Sequence, residues 1–441
     1  MIKKPVNENY CATVVEIKNL IPIENCDNVV HTNIFGNLVI VSKDTEVGSK
    51  GLFFPIETQL SETFLSMNNL YRHSEKNNDP EKKGYFEDNG RIRCVKFRGN
   101  KSQGFFVPIS CLDPLFMCKD INGKVREEYT KLGAEFDEIN GLEICKKYII
   151  KTRTPGMRNS SKSKKPKVSK IIENQFRFHT DTSQLGKNVT RFKAKSMIQI
   201  TYKLHGTSLI SSNILCKKKL NPIEWVLKKL GVNIRDQQYE NIYSSRKVIK
   251  NDDINKKQHF YSTDIWGIAN NILKEYLLPG MTIYAEIVGY LPDGGAIQKD
   301  YDYGCDDKEF EIYIYRITYT NPNGNVFEFS GNQVKEWCNN NGLKAVPELY
   351  YGTLENFMKD HSLTSIDEHL HQNFLDLLTK KYHGVDCYMC SNKVPAEGVV
   401  IRNENNLDIE AYKYKAEEFY LRETKLLDKG EEDIEEQSNE V

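Results

Sequence analysis

Short runs of β-branched and aromatic residues fill the first quarter of the chain, and polar or glycine-containing turns separate them. This alternation is typical of antiparallel strands that form a small barrel. We therefore predict a β-rich N-terminal domain over residues 1–145, either a small barrel or a more general β-domain. The runs that carry the prediction are CATVVEIKNLIPI (11–23), VVHTNIFGNLVIVSKD (29–44), KGLFFPI (50–56), RIRCVKFRG (91–99) and GFFVPI (104–109).

From residue 173 onward, strand-like runs alternate with segments whose apolar residues recur every three or four positions. The first pattern indicates strands, and the second indicates helices with one apolar face. We predict an α+β domain over residues 173–425, in which helices lie against antiparallel sheets. The strand-like runs are MIQITYKL (197–204), MTIYAEIVGYL (281–291), EFEIYIYRITY (309–319), EGVVIRN (397–403) and EAYKYK (410–415). The helix-like runs are EWVLKKLG (224–231), TDIWGIANNILKEYLL (263–278), SGNQVKEWCNN (330–340) and SIDEHLHQNFLDLLTKKY (365–382).

Two segments differ from the rest in charge. Residues 146–172 contain no acidic residue and are rich in lysine, which predicts a basic linker. The linker is either a solvated hinge, an arm that contacts nucleic-acid phosphates, or a nuclear-import signal. The C-terminal residues 426–441 are strongly acidic, which predicts a disordered tail.

Composition narrows the class of protein further. Hydrophobic residues make up 39% of the 441 residues, which is enough to fill packed cores. Lys plus Arg and Asp plus Glu are both 61, so the net charge does not indicate a partner. No apolar run approaches the ~20 residues that span a bilayer, and no secretory signal is visible. The 11 scattered cysteines fit reduced thiols, so we expect an intracellular protein, cytoplasmic or nuclear, without a membrane partner.

The segment with the most chemical information is Tyr202-Lys203-Leu204-His205-Gly206-Thr207-Ser208. A strand-like run leads into a turn of small residues, which can present Lys203 at the end of a strand while Gly206 leaves room for a ligand. A lysine that attacks phosphorus must lose its proton, although the ordinary pKa of lysine is about 10.4. Burial or neighbouring positive charge would be needed, and the rest of the sequence offers candidates.

Carboxylates and lysines occur in three later strand-like runs. Glu286 lies in YAEIVG, Glu397 precedes the apolar run GVVI, and Lys413 and Lys415 alternate on one face of KYK. Carboxylates can hold Mg²⁺ or a ribose hydroxyl, and lysines can neutralise phosphate oxygens. A nucleophilic lysine, metal-binding carboxylates and phosphate-neutralising lysines are the groups that phosphoryl transfer needs.

Six short motifs in a fixed order resemble those of one superfamily. KLHGTS, SSR (244–246), YAEIVG, EIYIYRI (311–317), EGVVIR and KYK look like motifs I, Ia, III, IIIa, IV and V of the covalent nucleotidyltransferases. These enzymes are the ATP-dependent DNA and RNA ligases and the mRNA capping enzymes. The resemblance implies a nucleotidyltransferase domain with an ATP-grasp-like ligase fold.

The branch is indicated by His205 and by the order of the domains. His205 followed by Gly-Thr resembles the RNA ligases of the phage T4 RNA ligase 2 type, because DNA ligases and capping enzymes usually have Asp there. A barrel-like module before the ligase domain is similar to the Deinococcus and Naegleria RNA ligases. The resemblance therefore implies that the N-terminal domain is an oligonucleotide-binding (OB-like) barrel.

The resemblance also implies a role for each matching residue. Catalytic roles fall to Lys203 (the nucleophile that would form AMP-lysine), His205, Lys413 and Lys415; ATP-binding roles to Lys203, Leu204, Gly206, Thr207, Ser208, Arg246, Glu286, Tyr315, Lys413 and Lys415; and metal-binding roles to Glu286 and Glu397. Two positions depart from the family pattern: Ser208 replaces a common Asn, and Arg316 replaces a frequent Asp.

The implied activity is an ATP-dependent RNA ligase that uses Mg²⁺ or Mn²⁺. It would seal 3′-OH/5′-phosphate nicks in duplex RNA, or in nucleic acid that contains RNA, and we expect it to act as a monomer. Two alternatives stay open: a DNA ligase or capping guanylyltransferase, and a non-catalytic ligase-like protein that binds nucleic acid.

A basic run in the N-terminal domain is the candidate nucleic-acid contact. RIRCVKFRGNK interleaves cations with Phe97, a pattern that fits either phosphate binding or a solvated strand face. The five cations are Arg91, Arg93, Lys96, Arg98 and Lys101.

Residues 361–390 contain several His residues and one CxxC, Cys387 and Cys390. A zinc site would need regular spacing and four convergent ligands, whereas His369 and His371 fall in a predicted helix that points them apart. We therefore interpret these residues as structural.

Overall fold

The computed structural model describes residues 2–24, 26–149, 170–179, 181–250, 261, 263–363, 369–405 and 410–431. The basic run of the predicted linker, the first residues of the helix predicted at 365–382 and residues 432–441 of the predicted tail lie outside the described residues. Within them, helices pack against mostly antiparallel sheets, so the predicted α+β fold is confirmed.

The N-terminal part consists of short strands with short helices between them. The strands are β1 (Ala12–Glu16), β2 (Ile21–Pro22), β3 (Val29–Ile34), β4 (Asn37–Ser42), β5 (Lys50–Phe54), β6 (Thr58–Leu60), β7 (Cys94–Phe97), β8 (Asn100–Gln103), β9 (Phe105–Pro108), β10 (Glu135–Phe136), β11 (Glu138–Ile139), β12 (Leu142–Glu143) and β13 (Cys145–Lys147). The helices are α1 (Glu62–Met67), α2 (Asp113–Cys118) and α3 (Gly123–Tyr129).

The N-terminal strands pair in several small antiparallel sheets. The largest has the order β10-β1-β5-β9, β2-β3-β4 form a meander, and β7-β8 form a hairpin. In the part of the chain that the structure describes, these sheets are packed together without one continuous ladder around a barrel. Phe54 of β5 contacts Phe64 of α1 edge to face, and both are fully buried in the core that joins the sheet to the helices.

The second part consists of longer strands and helices. The strands are β14 (Ser183–Gln184), β15 (Met197–Tyr202), β16 (Thr207–Lys217), β17 (Gln237–Ser244), β18 (Met281–Gly289), β19 (Phe310–Thr320), β20 (Val326–Glu328), β21 (Lys344–Ala345), β22 (Glu348–Thr353), β23 (Gly398–Asn403) and β24 (Glu410–Lys415). The helices are α4 (Leu185–Asn188), α5 (Pro222–Lys229), α6 (Ile265–Leu273), α7 (Gly331–Asn340), α8 (Leu354–Asp360), α9 (Leu370–Tyr382) and α10 (Glu417–Asp428).

Two sheets of the second part provide the frame for the site. One has the order β14-β24-β23-β15-β22, and the other β17-β16-β18-β19-β20, with β21 beside β19. The first buries its apolar face against α4, α8 and α9, through residues such as Ile200 and Phe374. The second packs on α6 and α7, where Trp266 is buried. Each sheet thus has its own core, and the chain crosses between them after β15.

Two predicted boundaries differ from the structure. Strand β13 pairs with β6 as far as Lys147, two residues into the segment predicted as linker. Helix α10 continues to Asp428, three residues into the segment predicted as a disordered tail. Across the described ranges, no helix is both long enough and apolar enough to cross a membrane.

Candidate active site

Residues 203–206 form the crossing between the two sheets. Strand β15 ends at Tyr202 in the five-stranded sheet, and β16 starts at Thr207 in the other sheet. Gly206 is required at this crossing, because a Cβ there would lie 2.2 Å from the carbonyl oxygen of Ile287. The backbone N–H of Lys203 donates to the carbonyl of Gly398 at 3.0 Å, which ties the crossing to β23.

The side chain of Lys203 faces a buried carboxylate. Lys203 Nζ lies 2.7 Å from Glu397 Oε1, and Glu397 is only 4% exposed. Lys415 Nζ lies 3.6 Å from the same oxygen. Burial by itself would raise the pKa of Glu397, but Lys203 and Lys415 hold that pKa below its ordinary value. Glu397 is therefore a carboxylate held between two lysine side chains.

Lys413 lies opposite Val400 across the β23–β24 ladder and is half-buried. Burial, followed by the positive charges of Lys415 and Lys203, lowers the pKa of Lys413 to about 7. Arg246 forms an ion pair with Asp181 beside this group. Although burial opposes it, the Arg246 guanidinium and then Lys413 lower the pKa of Asp181 to about 2.

Glu286 fixes the backbone of the crossing. Its Oε1 accepts the backbone N–H of Gly206 at 3.0 Å, and its Oε2 accepts the hydroxyl of Ser208 at 3.3 Å. Ser208 and Glu286 are direct partners in the β16–β18 ladder. The serine that departs from the family pattern thus contacts a carboxylate predicted to bind metal or ribose.

His205 is held by aromatic residues. Its backbone N–H donates to the hydroxyl of Tyr303 at 2.6 Å. Its ring packs edge to face against Tyr301 and Phe419, with ring centres 5.0 and 4.9 Å apart. The sequence reasoning did not identify these aromatic residues. The run YDYG (301–304) was the available signal, but nothing in its spacing connects it to His205.

Tyr315 and the neighbouring Arg316 both line the cleft. Arg316 pairs with Glu328 at 2.7 Å and lies over the ring of Tyr284. The ring of His179 packs against Tyr315, with centres 5.3 Å apart. Burial, together with the charge of Arg316, lowers the pKa of His179 to about 3, so this histidine is neutral.

These elements enclose one cavity of about 380 Å³. The predicted residues that line it are Lys203, Leu204, His205, Gly206, Ser208, Arg246, Glu286, Tyr315, Glu397, Lys413 and Lys415. Thr207 is the exception among the predicted ATP-binding residues: it is buried in β16 and does not line the cavity. Residues that the sequence did not indicate include Asp181 and Glu423, together with Tyr10 and Lys147 from the N-terminal part.

The basic run 91–101 contains the β7–β8 hairpin and the residues just before it, and its inner cations form ion pairs with carboxylates. Arg91 is buried, donates to both carboxylate oxygens of Glu57, and forms a further bond with Asp428 at 3.0 Å. Lys101 pairs with two acids at the start of α10, Glu417 and Glu418. Arg93 lies 3.6 Å from Asp428.

Three of the five cations are engaged within the protein, and nucleic-acid binding by the basic run stays a prediction. Arg91, Arg93 and Lys101 pair with acids on α10, because the hairpin packs against that helix. Lys96 and Arg98, at the tip, are exposed together with Phe97.

The His and Cys residues of the 361–390 region have structural contacts. The ring of His361 hydrogen-bonds the carbonyl of Phe357, and that of His371 the carbonyl of Phe192. The thiols Cys387 and Cys390 belong to an apolar cluster behind Tyr202. Nowhere in the described residues do three His, Cys, Asp or Glu side chains converge to hold a metal ion.

Residues 196–415 match the family model described as RNA ligase. Among solved structures, a Naegleria gruberi RNA ligase mutant with ATP and Mn superimposes with a TM-score of 0.54 at 14% identity, over 93% of this chain and 98% of that one. The Naegleria gruberi RNA ligase with PPi gives a TM-score of 0.53 at 14% identity, over 95% of this chain and 100% of that one. No curated protein sequence matches the chain.

The similarity to the Naegleria structures, at this low identity, shows a shared nucleotidyltransferase fold over most of the chain. The family model covers the segment that carries Lys203, Glu286, Glu397 and Lys413, from β15 to the end of β24. The segment 196–415 belongs to the RNA ligase family.

Proposed function

We propose that this protein is an ATP-dependent RNA ligase that seals 3′-OH/5′-phosphate nicks in duplex RNA through a lysyl-AMP intermediate. The observation that carries the proposal is the position of the Lys203 amine. It lies inside the cavity, 2.7 Å from the buried Glu397, and Lys413, Lys415 and Glu286 line the same cavity. The RNA ligase family match supports the same activity.

The residues of the cavity fit both ATP and a divalent cation. Glu397 Oε2 is buried and has no hydrogen-bond partner among the described residues, so it can accept a metal ion or a water bound to one. Glu286 adds a second carboxylate, and oxygen ligands are those that Mg²⁺ and Mn²⁺ prefer. Tyr315 offers an aromatic face for the adenine, and Lys413 and Lys415 offer cations for phosphate oxygens.

In the first step, the unprotonated amine of Lys203 attacks the α-phosphorus of ATP. A P–N bond forms, the bond from that phosphorus to the bridging oxygen breaks, and pyrophosphate leaves. Glu397 faces the amine as a hydrogen-bond acceptor, and Lys413 and Lys415 neutralise phosphate oxygens as charge develops. A divalent cation bound at Glu286 and Glu397 would supply further neutralisation of phosphate charge.

The next two steps reuse the same groups. The 5′-phosphate of a strand attacks the phosphorus of lysyl-AMP, which releases the Lys203 amine and gives a pyrophosphate-linked end. A 3′-hydroxyl then attacks the 5′-phosphate, forms the phosphodiester and releases AMP. Each step is an in-line displacement at phosphorus, so cations placed for one step can serve the others.

The first test is labelling with α-labelled ATP in the presence of Mg²⁺ or Mn²⁺. We expect the wild-type chain to acquire covalent label and Lys203→Ala and Lys203→Arg to acquire none. The arginine variant keeps the positive charge beside Glu397, so its failure isolates the loss of the nucleophile from the loss of the ion pair. Persistent label in either variant would contradict the assignment.

The second test measures sealing of nicked duplexes with ribose or deoxyribose on each side of the break. We expect joining to require ribonucleotides at the 3′-hydroxyl end. Equal joining of all-DNA nicks would identify a DNA ligase, and labelling by GTP alone a guanylyltransferase. Duplex binding without any nucleotide transfer would identify a non-catalytic binding protein.

A further inference from the structure

Helix α10 follows β24, the strand that carries Lys415, and packs beside the side chain of this lysine. Lys415 Nζ lies 2.7 Å from Glu423 Oε1. The same ammonium lies 5.0 Å from the ring centre of Phe419 and 5.5 Å from that of Tyr420. The helix therefore supplies a carboxylate and two aromatic faces to a lysine that lines the cavity.

The other side of α10 is attached to the N-terminal part at both ends of the helix. Near its start, Lys101 of β8 pairs with Glu417 and Glu418 at 3.1 and 3.0 Å. At its end, Asp428 pairs with Arg91 at 3.0 Å and lies 3.6 Å from Arg93. An aspartate in the last turn opposes the helix dipole, and these guanidinium groups offset that cost.

The two sets of contacts lie on one rigid element. Helix α10 has 12 residues, which corresponds to about 18 Å. Its N-terminal acids are held by Lys101 of β8, and its C-terminal acid is held by Arg91 and Arg93, which lie just before β7. Between them, Thr424 donates to Glu57, the carboxylate that also holds Arg91. A displacement of the hairpin therefore displaces the segment that carries Glu423.

On the basis of the proposed ligase function, we propose that α10 couples the β7–β8 hairpin to Lys415. Glu423 is the positioning residue on the cleft side, and Lys101 is the positioning residue on the hairpin side. Neither residue is required to touch ATP in this arrangement. In this proposal Lys101 affects adenylylation through the helix and not through a contact with ATP.

The experiment measures the first step alone, without nucleic acid, as the rate of covalent labelling against ATP concentration. RNA is absent, so an effect of Lys101 cannot arise from lost RNA binding. We expect Lys101→Ala and Glu423→Gln each to lower the labelling rate at saturating ATP about threefold to tenfold. The KM for ATP should change less than the rate, because the ATP contacts themselves remain.

The double variant tests whether the two residues act on the same path. If Lys101 acts through Glu423, Lys101→Ala should have little further effect in the Glu423→Gln background. The matched control is Lys187→Ala, which removes a 3.0 Å ion pair to Glu135 that also joins the two parts of the chain but does not involve α10. Glu423→Asp should recover part of the rate.

Each result is decisive for the coupling. Independent effects in the double variant, wild-type rates in both single variants, or an equal loss in Lys187→Ala would overturn it. A loss that matches only a smaller folded fraction, measured by thermal unfolding, would also overturn it. The proposed function is judged separately: if the wild-type chain acquires no label, the ligase proposal fails, whereas wild-type labelling with unaffected variants removes only the coupling.

Discussion

The cleft and the β7–β8 hairpin contain the same types of charged residue but use them differently. In the cleft, Lys203, Glu397 and Lys415 converge on a cavity of about 380 Å³. In and just before the hairpin, Lys101 and Arg91 pair with carboxylates on α10. Both regions contain Lys or Arg residues in strand-like runs, so the residue types alone do not distinguish them.

The difference between the two regions lies in what the charges surround. The cleft contains more cations than its carboxylates can pair closely, and burial lowers the pKa of Lys413 to about 7. Such an arrangement places positive charges close together, and an anionic ligand bound there would reduce the repulsion between them. In the basic run 91–101, Arg91, Arg93 and Lys101 each have an acidic partner. These ion pairs join the N-terminal part of the chain to α10. The following predictions test this distinction.

The largest effect is expected at Glu397. Glu397→Gln keeps the shape of the side chain but removes the negative charge that faces Lys203 and is available to a divalent cation. We expect the labelling rate with ATP and Mn²⁺ to fall at least about 10³-fold, equivalent to about 4 kcal/mol. The measurement is single-turnover labelling of the purified variant.

The control for this variant is Glu311→Gln. Glu311 pairs with Lys344 at the same 2.7 Å distance but does not line the cavity. We expect its labelling rate to stay within about twofold of wild type, because an exposed pair contributes little. A comparable loss in both variants would mean that the cleft carboxylate has no special role.

The second prediction concerns the stability provided by the hairpin. Arg91→Met removes the guanidinium that holds Glu57 and Asp428 and leaves Glu57 without its main partner. Breaking a buried ion pair on one side costs about 3–5 kcal/mol, so we expect the free energy of unfolding to fall by about 3 kcal/mol. Urea unfolding measures it. Arg126→Met, which removes an exposed pair with Asp113, should cost less than about 1 kcal/mol, and equal costs would refute the assignment.

The fold could be predicted from the sequence wherever a strand corresponds to a distinct apolar run. The apolar runs at 197–204, 281–291, 397–403 and 410–415 correspond to strands β15, β18, β23 and β24. Strand β16 was missed because TSLISSNILCK contains several serines, which are buried here and obscure the alternation. Helix α10 was missed because its acidic residues merge with the acidic tail in composition, although Phe419, Leu427 and their neighbours form an amphipathic pattern.

The site could be predicted only as far as its residues lie in recognisable motifs. The motifs KLHGTS, EGVVIR and KYK identify Lys203, Glu397 and Lys415, because each motif lies in or beside an apolar strand-like run. Tyr303 and Glu423 were not, because they reach the cleft by contacts that span many residues: Tyr303 meets His205 across 98 positions. Ion pairing of Arg91 with Asp428 spans 337 positions, so no local pattern distinguishes it from a free phosphate contact.

The third prediction uses the pKa of Lys413. In the folded chain this pKa is about 7, against an ordinary value of 10.5, so between pH 7 and about 10 the unfolded chain binds more protons. Wild-type stability should therefore gain from Lys413 as the pH rises through this window. Lys413→Met lacks the buried amine and should be more stable than wild type at pH 7, by about 1–3 kcal/mol.

The measurement is urea unfolding of both proteins at about pH 7.0, 8.5 and 10.0. These values lie between the pKa of Lys413 in the folded chain and its ordinary pKa. The advantage of Lys413→Met should shrink steadily as the pH rises, because neutral Lys413 carries no penalty in the folded state. A difference that does not change with pH would show that Lys413 keeps its charge in the fold. Burial in the cleft would then not lower its pKa.

The smallest effects are expected at the tip of the hairpin, where Lys96 and Arg98 are exposed. If these two cations contact duplex phosphates, Lys96→Ala and Arg98→Ala should each weaken binding of a nicked duplex a few-fold, by less than about 1 kcal/mol. Each should also reduce the slope of log affinity against log salt by about 1, independently of the base sequence. Lys131→Ala, an exposed lysine of the same N-terminal part outside the hairpin, is the control. If it matches the tip variants in affinity and salt slope, the tip does not contact the duplex, and the hairpin serves only to hold α10.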